Sequence, residues 1–326
     1  MLKKMLEKNE ENKILHIGGK EIAPGEQKLV SIEISRLPTG TLIDIPVHVF
    51  NGKAAGPTVL VQAGLHGDEI NGVETLRRML EQRLFQINSG AVIVVPILNV
   101  FGFIHFSRDV PDGKDVNRSF PGNKNGSLAS RMAYHYLHEI LPQIDVGIDL
   151  HTGGGQRHNY PQVRFTAEDA MSKELAEVFA APLFFASTLI RGSFRKAAFD
   201  MGKPIIVYEA GESMRFDEFA IAIAMEGVGR VLQYLNMLPE TKPVAPKSAI
   251  LLEKRRWVRA SRAGMFIPKV DNGSAIKKGQ LMGWVTDTFA KRSKKINAPM
   301  DGYVFCVNHQ AVVNQGDALF HVGQIV

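Results

Sequence analysis

The chain has 326 residues, 45% hydrophobic and 22% charged, which supplies apolar material for one large domain plus a smaller one and excludes a disordered chain. Its one cysteine, Cys306, rules out an internal disulfide and reads as a buried structural thiol, since it lies in the apolar run Tyr303-Val304-Phe305-Cys306-Val307. Formal net charge is +6, but residues 246–326 hold 13 Lys/Arg against 5 Asp/Glu. The basic character therefore belongs to the tail, where Lys254-Arg255-Arg256 and the Lys291–Lys295 run have no aromatic platform or recognition motif beside them; they read as solvated charge, with no nucleic-acid partner.

The segment Met1–Glu11 is charged throughout and has no apolar signal core, and no later stretch approaches ~18 consecutive apolar residues. A cytoplasmic location with no membrane partner is the expectation. After an N-terminal β extension, strand-length apolar runs alternate with helix-period segments. Thr58–Ala63 is followed by Ile70–Phe85, with Val73, Leu76, Leu80 and Leu84 on one stripe, and then by Ala91–Leu98. A helical segment around Leu128, Met132, Leu137 and Leu141 leads to the run Val146–Leu150, a helix near Met171–Phe179, the run Ile205–Tyr208 and a helix from Phe219 to Leu235. This β-α-β rhythm predicts an α/β fold with a mixed, mostly parallel sheet flanked by helices, and ligand binding beyond the carboxyl ends of its strands.

The stretch Pro239–Pro246 has three prolines and ends the helical periodicity, so the domains are expected at 1–245 and 246–326. The second is expected to be small and all-β. It carries an internal repeat, Gly264–Ile267 followed by Ala275–Leu281, then Gly302–Phe305 followed by Val312–Leu319. With Ala298-Pro299-Met300-Asp301-Gly302 this resembles the biotinyl/lipoyl-type hybrid fold. Residues 286–297 lack the lysine context a carrier needs, so the tail reads as an accessory lid and not as a cofactor carrier.

Two elements carry the chemistry. His66-Gly67-Asp68-Glu69 follows one apolar run, and Asp149-Leu150-His151 follows another. Two imidazoles and a carboxylate make a three-ligand zinc site with an open fourth position, the arrangement of a catalytic and not a structural ion. One Zn²⁺ per chain is expected on His66, Glu69 and His151. Asp68 reads as a surface charge rather than a second metal ligand, and Asp149 either as a carboxylate orienting a group of the site or as a structural aspartate. Asn117 and Arg118, in Asp115-Val116-Asn117-Arg118, offer an amide and a planar guanidinium suited to a substrate carboxylate. Glu209 emerges from a buried strand and is the expected general base, with Glu212 as the alternative. Arg195 could reach an anionic acyl group or form a surface salt bridge.

Together His66-x-x-Glu69, Asp115–Arg118, Asp149-Leu150-His151 and Glu209-Ala210-Gly211 resemble the succinylglutamate desuccinylase/aspartoacylase family, relatives of zinc carboxypeptidase A. The resemblance implies zinc on His66, Glu69 and His151, Glu209 as base, Asn117 and Arg118 on a substrate carboxylate, and Arg108 polarising the scissile carbonyl. It implies a deacylase whose partner is a small anionic N-acyl amino acid. A metallocarboxypeptidase or peptide amidase is the alternative, to be distinguished by whether the tail domain covers the site, and a non-catalytic lipoyl-like module is a third reading. Association into a homo-oligomer is compatible with the sequence.

Overall fold

The structure, a computed structural model, describes residues 11–239 and 248–325. The expected domain boundary at 245/246 and all of the N-terminal segment but Glu11 lie outside the described residues. Among the described residues, no helix is long and apolar enough to cross a membrane.

A 12-stranded sheet runs through the molecule. At its centre Ser89–Val95, Ala54–Ala63, Val146–Gly153 and Ile205–Glu212 lie side by side and parallel. These near-continuous apolar strands are buried on both faces, as the sequence rhythm implied. Alternation along each strand then divides the core in two: Val59, Val61, Val92 and Val94 pack on one side, and Leu60, Ala91, Ile93 and Val95 on the other. The first side is covered by helices Ile70–Glu81, Ala170–Phe179 and Glu218–Tyr234, the second by Leu128–Ile140 and Phe194–Asp200.

The expectation of a mostly parallel sheet does not extend beyond this centre. On one side the antiparallel strands Leu42–Asn51 and Gln27–Arg36 form the N-terminal extension. On the other, Arg157–Phe165 runs antiparallel to Ile205–Glu212, and Leu183–Ala186 follows it in parallel. The first of these strands escapes a search for apolar runs because Arg157, His158, Asn159, Gln162 and Arg164 interrupt it. The predicted stripe ending at Leu84 also differs: the helix stops at Glu81, Arg83 adopts a left-handed conformation, and Phe85 enters the core while Leu84 is exposed.

The tail domain is all-β, with its own core around Phe266, Met282, Val304 and Phe320. Its strands Ile250–Arg259, Ala318–Ile325, Gly302–Asn308 and Ala275–Ile276 continue the large sheet, and four others form a separate one. Ile250–Arg259 pairs with Leu183–Ala186, and Gly302–Asn308 pairs with Arg157–Phe165. Backbone hydrogen bonds thus join the tail to the first domain beside the site. Of the two basic runs, Lys291–Lys295 is exposed as expected, but Arg255 is half-buried in the seam, its guanidinium 4.2 Å from the Phe185 ring centroid.

Candidate active site

The chain turns sharply after the strand Ala54–Ala63. Gly64 takes φ 60°, and Gly67 packs so closely on the helix Val100–His105 that a Cβ there would lie 1.9 Å from the Gly102 carbonyl carbon; only glycine fits. This turn presents His66 and leaves Glu69 as N-cap of the helix Ile70–Glu81. Glu69 makes no side-chain capping bond. Its carboxylate lies instead 2.8 Å from His66 Nδ1 through Oε1 and 2.8 Å from His151 Nδ1 through Oε2, and accepts from the Thr152 backbone N–H at 3.0 Å. All three side chains are buried, and their ligating atoms lie within 4.8 Å of one another, a group that could hold a metal ion. Burial alone disfavours every charge in the cluster, yet mutual attraction prevails: His66 and His151 are raised above the usual histidine range and Glu69 is held well below the carboxylate range.

Supporting groups surround the cluster. Asp149 Oδ2 is 2.9 Å from His151 Nε2, a contact that suits the orienting one of the two roles considered. Asp68 is not a surface charge: it lines the cavity, and burial and the Glu69 charge push its carboxyl up. Arg108 lies with Nη1 3.2 Å from His66 Nδ1 and 3.4 Å from Glu69 Oε1. Asp115 fixes it there, accepting from Nε at 3.0 Å and Nη2 at 2.9 Å. Burial opposes the Asp115 charge, but His66 and Arg108 hold the carboxyl below its ordinary range. Asp115 also caps the single helical turn Val116–Arg118 by accepting from the Asn117 N–H at 2.7 Å, so one carboxylate aligns Arg108 and the Asn117-Arg118 pair. The sequence reading gave Asp115 no role; its place at the head of Asp-Val-Asn-Arg, an Asx cap, was the available signal.

Asn117 Oδ1 accepts from the Phe194 N–H at 2.9 Å, tying the turn to the helix that carries Arg195. Its amide oxygen is therefore structural, and its NH₂ is the part left for a ligand. Arg118 lines the cavity, partly exposed, with Nη1 on the Asn117 carbonyl at 2.7 Å. Arg195 is buried, against the surface salt bridge considered for it. It is 9% exposed, donates through Nη2 to the carbonyls of Thr188 at 2.9 Å and Ser187 at 3.4 Å, and lines the cavity with Nη1 buried and unpaired. Burial lowers its pKa to about 10, so it stays cationic at neutral pH.

Glu209 is the register partner of His151 on the adjacent parallel strand, so both side chains leave the same face of the sheet. Asn159 Nδ2 donates to Glu209 Oε2 at 2.7 Å, and Arg164 Nη1 lies 3.0 Å from Oε1. Both partners come from the strand that the sequence reading missed. Glu212 is engaged elsewhere, 2.7 Å from His309 Nδ1 of the tail domain.

These groups line a cavity of about 520 Å³, walled on the tail side by Trp257, Cys306 and His321. Trp257 and His321 stack with centroids 4.0 Å apart and planes 14° apart. Burial, with the charges of Arg164 and Arg255, pushes His321 down to about 3, so this wall is uncharged. Burial likewise pushes the Cys306 thiol up to about 12, as a structural cysteine requires.

The buried His/Glu/His cluster that could hold a metal ion thus sits at the carboxyl ends of parallel strands, with a carboxylate on the neighbouring strand. Residues 55–235 match the succinylglutamate desuccinylase/aspartoacylase catalytic domain, and the chain belongs to that family. It is 27% identical over 295 residues, 86% of each chain, to the N-alpha-acetyl-L-2,4-diaminobutyric acid deacetylase of Halomonas elongata. Among solved structures, a succinylglutamate desuccinylase/aspartoacylase from Rhodobacter sphaeroides is similar with TM-score 0.80 and 26% identity, covering 92% of this chain and 96% of that one. The product-bound ectoine utilization protein EutE (DoeB) from Ruegeria pomeroyi gives TM-score 0.80 and 25% identity, covering 91% and 94%.

Proposed function

We propose that this chain is a zinc-dependent hydrolase that cleaves the amide bond of small N-acyl amino acids. The observation that carries the reading is one cavity lined by the His66/Glu69/His151 donors, the Glu209 carboxylate and the cationic or amide side chains of Arg108, Asn117, Arg118 and Arg195. Its volume falls within the roughly 300–1,000 Å³ of small-molecule sites. The deacetylase from Halomonas elongata, named for removing an acyl group from an amino acid's α-nitrogen, supports the same reaction class.

Two imidazole nitrogens and one carboxylate oxygen, all buried, fit zinc in chemistry and number. Bound there, the ion would acidify water and polarise a carbonyl as a Lewis acid. Glu209, anchored by Asn159 and Arg164, accepts the proton of the attacking water and returns it to the departing amine. Arg108, fixed by Asp115, faces the negative charge that develops on the scissile carbonyl oxygen. The Asn117 amide nitrogen and Arg118 take the amino-acid carboxylate, and Arg195 receives the other polar end. Binding at both ends aligns the amide before reaction.

Trp257, Cys306 and His321 of the tail line the cavity, which supports a small substrate over the peptide of the carboxypeptidase alternative. Product release from zinc-loaded protein should follow N-acetyl, N-succinyl or N-formyl amino acids and not dipeptides or longer peptides; the converse preference would overturn the assignment. Trp257→Ala should narrow the gap between the best N-acyl amino acid and its longer-acyl analogue by about tenfold, the discrimination a few methylenes of pocket contact provide, without changing zinc content. An unchanged ratio would remove the wall from the specificity argument.

A further inference from the structure

Gln62 is the only amide in the otherwise apolar stretch Val59–Ala63, and it is fully buried. A buried amide in a central strand calls for partners. Tyr136, also fully buried and on the helix Leu128–Ile140, donates its hydroxyl to Gln62 Oε1 at 2.6 Å. Gln62 is the register partner of Asp149 on the neighbouring parallel strand. Leu60 packs on the same core side as Tyr136, whereas Ile148 and Leu150 pack on the opposite side. By alternation, Gln62 and Asp149 stand side by side on the face that also carries His151.

Asp149 uses Oδ2 on His151 Nε2. Its Oδ1 is buried without a partner, and so is Gln62 Nε2. An acceptor and a donor are thus left over on adjacent residues, one end of the pair fixed by Tyr136 and the other by His151.

We propose that Gln62 is a positioning residue for the metal cluster: Tyr136 holds its amide beside Asp149, and Nε2, not bonded to Asp149 Oδ1 in this structure, takes it as partner when the cluster holds its ion, which fixes the Asp149 carboxylate on His151 Nε2 and keeps His151 Nδ1 toward Glu69. The inference rests on the metal reading under Proposed function. Neither Gln62 nor Tyr136 lines the cavity, so both act only through Asp149 and His151.

The test is zinc affinity, measured by competition with a chromophoric chelator, alongside thermal unfolding of the zinc-free protein. Gln62→Leu should weaken zinc binding about tenfold, within the range typical of groups that orient a metal ligand. Tyr136→Phe should weaken it by a smaller factor. The zinc-free melting temperature of Gln62→Leu is expected to fall modestly, because the buried Tyr136 hydroxyl loses its acceptor, so zinc affinity is measured at a temperature where the variant is folded. In an Asp149→Asn background, Gln62→Leu should add no further loss, since the two residues act in series. Wild-type zinc affinity in Gln62→Leu, or a loss fully additive with Asp149→Asn, would overturn the proposal. Should Gln62→Leu destabilise the zinc-free fold, Tyr136→Phe decides: unchanged zinc affinity there also overturns it. A wild-type protein that binds no zinc would instead refute the metal reading itself, and this inference with it.

Discussion

Glu209→Gln is expected to retain its zinc and lose ~10²–10⁴-fold in turnover, the usual contribution of a positioned general acid/base. The substitution keeps the size of the side chain but only one of its two acceptor oxygens, so one of the contacts from Asn159 Nδ2 and Arg164 Nη1 is lost, and a neutral amide cannot take a proton from water at neutral pH. Glu209 is outside the His66/Glu69/His151 cluster, so metal content should not change. Substrate affinity should change little, which separates loss of proton transfer from loss of binding. Glu212→Gln is the control. That carboxylate contacts His309 and does not line the cavity, so near-normal turnover is expected. Metal loss in Glu209→Gln would make Glu209 a ligand, and a reversed pattern between the two variants would transfer the base role to Glu212.

Arg118→Ala should reduce kcat/KM on substrates with a free carboxylate by roughly 10- to 150-fold, equivalent to ~1.5–3 kcal/mol for a charge-assisted contact. The guanidinium lines the cavity, partly exposed, held by the Asn117 carbonyl at 2.7 Å and only 4.0 Å from Asp115 Oδ2. Among the described residues no carboxylate lies closer than that, so its charge is open to a ligand. The methyl ester of the same substrate should lose far less. Equal losses on acid and ester would show that Arg118 maintains the turn and does not clamp a carboxylate.

The donor cluster was legible because its residues sit where apolar strands end. His66, Glu69 and His151 combine ligand residue types with a strand-to-loop position, and the structure brings them together. Glu209 was legible for the same reason, and its register pairing with His151 follows from the parallel arrangement of the two strands. The groups that hold Glu209 were not. Asn159 and Arg164 lie on a strand whose polar residues face the cavity and the tail domain, so the apolar run used to detect strands is absent. Arg195 had two readings in the sequence, and its burial speaks against the surface salt bridge. The wall of Trp257, Cys306 and His321 depends on pairing between Gly302–Asn308 and Arg157–Phe165, a contact between residues over a hundred positions apart that no local pattern encodes. Gln62 did carry a signal, a lone amide in a buried strand, but its meaning needed the register with Asp149.

The most direct test is zinc titration of metal-free protein while hydrolysis of an N-acyl amino acid is followed. Activity should rise linearly and reach a plateau at one zinc per chain, and the His66→Ala/His151→Ala double variant should neither bind zinc stoichiometrically nor gain activity. Full activity without added metal in chelator-treated protein, or stoichiometric zinc retained by the double variant, would contradict the account.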